Sequence, residues 1–193
     1  MYLTTVYDTA ARNILMMCGR QTEKSTTLGN RSLIYSIQRP YFKTLYVSPT
    51  QTQTEKFSRD RLEEPIEMSP SLKAFIKRPQ NVLLKRFMTD AEITLRYAFL
   101  SADRTRGIRS DLLIIDELQD VLIDIIPVIE QCISHSPYKM KLYAGTPKSL
   151  DNTISAYWEE HSTKNEWVIP CDHCSARQGR WNVVGLANIG KKS

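Results

Sequence analysis

No stretch of the sequence approaches the roughly 18 uninterrupted apolar residues that cross a bilayer. The N-terminus also lacks a basic segment followed by an apolar run and a cleavage site. Neither a membrane span nor a secretory leader is expected, which leaves the cytosol. Cysteine is scarce. Of the four, Cys18 and Cys132 lie in apolar runs, where a thiol behaves as a small hydrophobe, so a disulfide scaffold is not expected. No internal repeat and no low-complexity segment interrupts the chain, and at 193 residues it is short for two full domains. Hydrophobic residues at 41% and charged residues at 24% are ordinary for a globular protein, which excludes disordered and collagen-like classes.

Charge is present but uneven. The net charge is +5, yet residues 1–110 hold 18 basic and 10 acidic groups, whereas residues 111–193 hold 8 and 11. A basic half suits phosphate, whether of nucleotide or of nucleic acid; a solvated basic surface would give the same composition.

Apolar runs and turn residues alternate in a β/α pattern. Asn13 to Cys18 reads as a buried strand, Ser25 to Gln38 as a helix stopped by Pro40, and Lys43 to Pro49 as a second strand. Gln51 to Met68 has apolar residues at helical intervals, with Pro65 marking a break or an irregular last turn. Val82–Met88 and Ile93–Phe99 read as an antiparallel hairpin around Asp90. Leu112–Ile115 has the continuous apolar character of a strand covered on both faces. After it, Val121 to Ser134 reads as a helix with Pro127 inside, Lys139 to Thr146 as an inner strand, Ile154 to His161 as a helix and Trp167 to Pro170 as a strand. Such alternation implies right-handed crossovers and a mostly parallel sheet.

Two segments carry chemistry. Gly19-Arg20-Gln21-Thr22-Glu23-Lys24-Ser25-Thr26 lies between an expected strand and an expected helix, where backbone N–H groups and the helix dipole face a phosphate. Lys24 would reach the β- and γ-phosphates of ATP, and the Ser25 hydroxyl would hold Mg²⁺. The strict G-x4-G-K-[ST] pattern fails twice, because its two glycine positions hold Cys18 and Glu23. Gly19 can supply the turn next to the first. Glu23 puts a Cβ and a carboxylate where the backbone should approach a triphosphate, which costs strain if φ is positive there. Taken alone, the loop fits a phosphate site and an ordinary polar turn equally well. The second segment decides between them: Leu112–Ile115 followed by Asp116-Glu117 has the form of a Walker B strand. Its first carboxylate belongs in the Mg²⁺ shell, and its second orients or deprotonates the attacking water.

Gly19-Arg20-Gln21-x-x-Lys24-Ser25-Thr26 resembles the variant Walker A of the large terminase subunit of tailed bacteriophages, whose loop reads Arg-Gln-x-Gly-Lys-Ser/Thr. Tyr46-Val47-Ser48-Pro49-Thr50 resembles the strand and turn that follow in that family and in related helicases, and Ala144-Gly145-Thr146-Pro147 resembles its coupling motif. The matches fall in order over residues 13–150; taken singly, the latter two are also plain turn chemistry after a strand. The resemblance implies an ASCE/RecA-like P-loop NTPase fold, α/β, with a mostly parallel sheet flanked by helices and an antiparallel hairpin added. It implies an ATPase that translocates double-stranded DNA into a procapsid, in the host cytoplasm, as a homo-oligomeric ring that works with the small terminase subunit and the portal protein. Arg20 would then lie near the phosphates, Thr146 would sense the γ-phosphate region, and Arg104 or Arg106 would be the finger presented to a neighbouring subunit. A solvated loop or a contact to DNA phosphate is the other reading of those two arginines.

Cys171-Asp172-His173-Cys174 is a lone C-x2-C knuckle. Structural zinc takes four ligands, so Cys171, Cys174 and His173 would need a further partner, and a zinc-free turn is the alternative. Residues 1–165 are therefore expected to be the ATPase domain, and 166–193 an extension that begins a truncated segment or a linker. The family's nuclease, with its clustered acidic residues, is not expected in this chain. The adenine-reading Gln that normally precedes the first strand has no counterpart in Met1–Arg12, where Tyr2 or Tyr7 could stack on the base instead. Two other functions remain open at this level: a DExx helicase fragment, from Asp116-Glu117-Leu118-Gln119, and a non-hydrolysing P-loop module that binds DNA or docks on partners.

Overall fold

The computed structural model describes residues 4–98, 101–149 and 152–165, without the Arg104 side chain, together with the backbone of 168–170 and 183–185. In chain order the elements are α1 (Thr4–Asp8), β1 (Asn13–Met17), α2 (Lys24–Gln38), β2 (Lys43–Ser48), α3 (Gln51–Phe57), α4 (Glu64–Met68), α5 (Pro70–Lys73), β3 (Leu84–Arg86) and β4 (Glu92–Tyr97). They continue with β5 (Leu112–Ile115), α6 (Ile126–Glu130), β6 (Met140–Gly145), α7 (Thr153–His161), β7 (Val168–Pro170) and β8 (Val183–Gly185). Six strands form one sheet in the order β1-β6-β5-β2-β4-β3, and β7 pairs with β8 in a separate antiparallel ribbon. The first five strands of that order run parallel; β3 alone is antiparallel, on β4. The α/β fold with a mostly parallel sheet and an added hairpin is therefore as expected. Among the described residues no helix is long and apolar enough to cross a membrane.

Strand alternation explains why the central strands are apolar throughout. Along β5, Leu112 and Ile114 join one core cluster with Leu28, Tyr46 and Leu142, while Leu113 and Ile115 join another with Leu45, Val47, Ile126 and Ile154. Successive side chains point to opposite faces, so a strand with helices on both sides needs no polar positions. All four β5 residues are buried, and burial of each such side chain contributes about 1.5–3 kcal/mol.

Helix ends follow local chemistry. At the end of α2, Arg39 is extended (φ −122°, ψ 110°), as the residue before a proline must be, and its N–H still reaches the Tyr35 carbonyl. Thr50 caps α3 in a reciprocal box with Gln53, so the Ser48-Pro49-Thr50 turn is a helix start. Arg31, buried within α2, donates to the Val6 carbonyl and to the Tyr35 hydroxyl, which fastens α1 to α2.

Two expected helices are interrupted, each around a proline. The segment Val121–Ser134 becomes a 3-10 turn (Ile123–Ile125), α6 and a second 3-10 turn (Gln131–Ile133), with Pro127 in the first turn of α6. Proline is tolerated there because the first N–H groups of a helix have no internal partner. Between α3 and α4, residues Ser58–Glu63 form a π-helical segment in which the Glu64 N–H reaches back five residues to the Arg59 carbonyl. Pro65, in the first turn of α4, has no N–H for the carbonyl of Arg61 four residues earlier. That carbonyl instead packs over Gly29 of α2, where an added Cβ would sit 2.7 Å from it. The hairpin strand expected to reach Phe99 ends at Tyr97, and Phe99 itself lies outside the described residues.

The Gly29 contact fixes the distance between α2 and the π turn. Gly29→Ala gains about 1 kcal/mol in helix propensity but must displace backbone, at about 1–3 kcal/mol. The net expectation is destabilisation, read as a lower Tm or urea midpoint with an unchanged m-value.

Candidate nucleotide site

Because β1, β6, β5 and β2 are parallel, their C-terminal ends lie along one edge, and the loops that leave them meet there. A cleft of about 490 Å³ opens at that edge, lined by all residues from Arg20 to Thr26, by Gln53 and Arg61, by Glu117, Gln119 and Asp120, and by Thr146 and Lys148. A larger cavity of about 710 Å³ lies beside β1 between α1 and α7, but none of the motif residues lines it. The smaller cleft is the candidate site.

Lys24 opens α2 and is buried. Its ammonium donates to the Gly19 carbonyl at 2.5 Å and to the Thr146 hydroxyl at 3.1 Å. The Walker A loop and the end of β6 are thus joined by one side chain. Next to it the Ser25 hydroxyl donates to Asp116 Oδ2 at 3.0 Å, a contact between residues 91 positions apart. Asp116 lies buried behind Ser25 and also accepts from the Tyr46 hydroxyl at 3.2 Å and from the Glu117 N–H at 3.0 Å. Burial above all, and then the Glu117 carboxylate, push the Asp116 carboxyl up to about 6, against these three hydrogen bonds. A buried carboxylate raised in this way, beside a serine hydroxyl, is a hard oxygen set short of positive charge, and that is the chemistry a Mg²⁺ ion satisfies. Tyr46 stays a phenol: burial first, and the Asp116 charge second, raise its ionisation well above the usual value.

The backbone is left-handed at three residues that line the cleft: Gln21 (φ 58°), Glu23 (φ 59°) and Glu117 (φ 52°). Glu23 therefore does occupy a glycine-type conformation, at a cost of about 1–2 kcal/mol for a residue with a Cβ. Its carboxylate accepts from the Thr26 hydroxyl at 2.6 Å, over the first turn of α2. This hydrogen bond ties the carboxylate to the first turn of α2, while Glu23 still lines the cleft.

Other expected residues lie elsewhere. Arg106 is exposed, ion-paired with Asp103 at 3.4 Å next to Gly107 (φ 76°), and does not line the cleft of its own chain. The Arg104 side chain, Cys171, His173, Cys174 and Tyr2 lie outside the described residues. Tyr7 accepts from the Asn30 amide at 2.9 Å, packs on α2 and is not part of the cleft. Sequence reasoning gave no role to Tyr46, Gln53, Arg61 or Gln119. Gln119 and Tyr46 stood in quoted motifs, though without a role; Tyr46, Gln53 and Arg61 reach the site through pairing of strands or the path of the π turn, which no local pattern encodes.

A family model described as phage terminase large subunit gpA, ATPase domain, matches residues 3–188. The chain belongs to that family. Solved terminases share its fold. The ATPase domain of the Thermus phage P74-26 large terminase superposes with a TM-score of 0.65 at 19% identity, over 78% of this chain and 66% of that one. The large terminase of bacteriophage HK97 gives 0.63 at 16%, over 77% and 32%. The large terminase of a thermophilic bacteriophage, in complex with ADP, gives 0.54 at 11%, over 75% and 36%. The chain therefore spans about two thirds of the first of these and about a third of the others. No curated protein matches the sequence.

For this terminase ATPase domain, relief of the left-handed strain gives a direct expectation. Glu23→Gly should keep or raise affinity for a fluorescent ATP analogue without lowering Tm. A large loss of affinity would give the Glu23 carboxylate a positive role in the loop.

Proposed function

We propose that this chain is an ATP-hydrolysing motor domain that drives double-stranded DNA into a viral procapsid. The observation that carries this reading is that Lys24, Ser25, Glu117 and Thr146 line one cleft with Asp116 buried behind Ser25, and that direct hydrogen bonds join these segments, far apart in sequence. In this reading residues 1–165 are the ATPase domain and 166–193 an extension. The domain works in the host cytoplasm as a homo-oligomeric ring, with the small terminase subunit and the portal protein as partners.

The chemistry follows from the positions of the side chains. Backbone N–H groups at the start of α2 and the Lys24 ammonium receive the phosphates of ATP, with Arg20 beside them. Ser25 and Asp116 would hold Mg²⁺, which when bound neutralises charge on the β- and γ-oxygens. Glu117 follows Asp116 at the mouth of β5 and is placed to orient a water or take its proton. Thr146, already bonded to Lys24, links the phosphate region to β6 and so to the sheet. Arg106, exposed and away from its own cleft, suits a finger offered to the next subunit; Arg104 is the other candidate.

Lys24→Ala should lower DNA-stimulated ATP turnover by about 100-fold or more, as loss of a preorganised charge on a transferring phosphoryl group does; unchanged turnover would overturn the mechanism and leave a non-hydrolysing module. Arg106→Ala should also abolish turnover. Mixing it with Lys24→Ala should restore part of the activity, because some interfaces then combine an intact Lys24 with an intact Arg106. Absence of recovery would place Arg106 outside the neighbour's site.

A further inference from the structure

Gln119 is buried and lines the cleft, and its amide spans two loops. Its Oε1 accepts the Thr146 N–H at 3.0 Å, and its Nε2 donates to the Glu117 carboxylate at 2.5 Å, with a longer contact to Asp120 at 3.3 Å. The orientation of the amide is dictated by its partners, since a backbone N–H can only donate and an ionised carboxylate can only accept. Gly145 makes the bridge sterically possible. A Cβ at that residue would overlap Gln119 Oε1 and come within 2.8 Å of Ile154 Cδ1.

We propose that Gln119 is a positioning residue that locks the Glu117 carboxylate to the end of β6, so that the water-activating group and the coupling strand move as one unit. The bridge extends the contact already made on the other side of Thr146, where its hydroxyl accepts from Lys24. The result is one chain of hydrogen bonds, Lys24 to Thr146 to Gln119 to Glu117, running from the phosphate-binding lysine to the carboxylate. Glu117 needs such a restraint because its backbone is left-handed (φ 52°, ψ 45°) at the turn that follows β5. Only a neutral amide of this length serves both ends. A carboxylate accepts from Thr146 but repels Glu117, leucine does neither, and asparagine is one methylene short.

This inference rests on the hydrolytic reading of Glu117, and the test separates the two. ATP turnover and affinity for a fluorescent ATP analogue are measured on the full chain with double-stranded DNA, for Gln119→Leu, Gln119→Glu, Glu117→Gln and the double variant Gln119→Leu/Glu117→Gln. A catalytic group displaced by an ångström loses up to about 100-fold. Both Gln119 variants should therefore lower kcat by about 10-fold or more, with the nucleotide dissociation constant within about threefold of the parent. The double variant should be no slower than Glu117→Gln alone, as expected of groups that act as a unit. Gln119→Glu is the stringent case. It keeps the shape and the acceptor for Thr146, so a purely structural role at β6 predicts parental kcat, and that result would overturn the proposal. If Glu117→Gln abolishes turnover while both Gln119 variants match the parent, the bridge is refuted and the hydrolytic reading stands. If Glu117→Gln itself turns over like the parent, both are refuted.

Discussion

The contact between the Ser25 hydroxyl and the Asp116 carboxylate is the constraint on which the site depends. It joins the first turn of α2 to the mouth of β5, and it exists only because the sheet order places those two elements near each other across β6. A carboxylate as buried as Asp116 is costly to keep charged unless several donors face it. Three do so, and each comes from a different part of the sheet edge: Ser25 after β1, Tyr46 within β2 and the Glu117 N–H after β5. The stacking of Tyr46 on Phe57 of α3, with ring centroids 3.8 Å apart, holds that phenol in place from behind. The packing of the core and the polar layer of the site are therefore one arrangement.

Left-handed backbone occurs at the cleft as well as at Tyr41, Asp90, Lys139 and Lys164 elsewhere. Three residues with a Cβ, Gln21, Glu23 and Glu117, adopt left-handed backbone in the loops that line the cleft, and two of their side chains are held by a neighbour: Glu23 by Thr26 and Glu117 by Gln119. Such conformations persist when neighbouring contacts over-determine them, and they fix side-chain direction better than a relaxed loop does. In this loop a glutamate takes the left-handed backbone of a glycine position, with its carboxylate bonded to Thr26. The π-helical segment is a second device of the same kind. Pro65 leaves the Arg61 carbonyl without its helical N–H partner, Gly29 accommodates that carbonyl, and Arg61 lines the candidate cleft.

Much of this was legible in the sequence. Continuous apolar runs marked β1, β2, β5 and β6 because strands covered on both faces need no polar positions. Lys24, Ser25, Asp116, Glu117 and Thr146 could be picked out because phosphate and magnesium chemistry confines residue type and places it at strand ends. The terminase resemblance rested on the same residues, and the family match over residues 3–188 agrees with it. The interrupted helices were less legible. Pro65 and Pro127 announced a break, but whether the chain answers a proline by ending a helix, widening it to a π turn or starting afresh depends on what packs against it.

The sequence by itself determined the layer order of the fold and the chemical inventory of the site, since both follow from local rules: the period of apolar residues, the turn after a strand, and the donors a triphosphate requires. Only the tertiary structure decided that Tyr46 supports Asp116, that Arg61 faces the cleft, that Arg106 does not, and that Gln119 ties Glu117 to Thr146. Those relations depend on strand order, register and the close approach allowed by Gly29 and Gly145. Such distances are set by the whole packed core, and no window of neighbouring residues contains them.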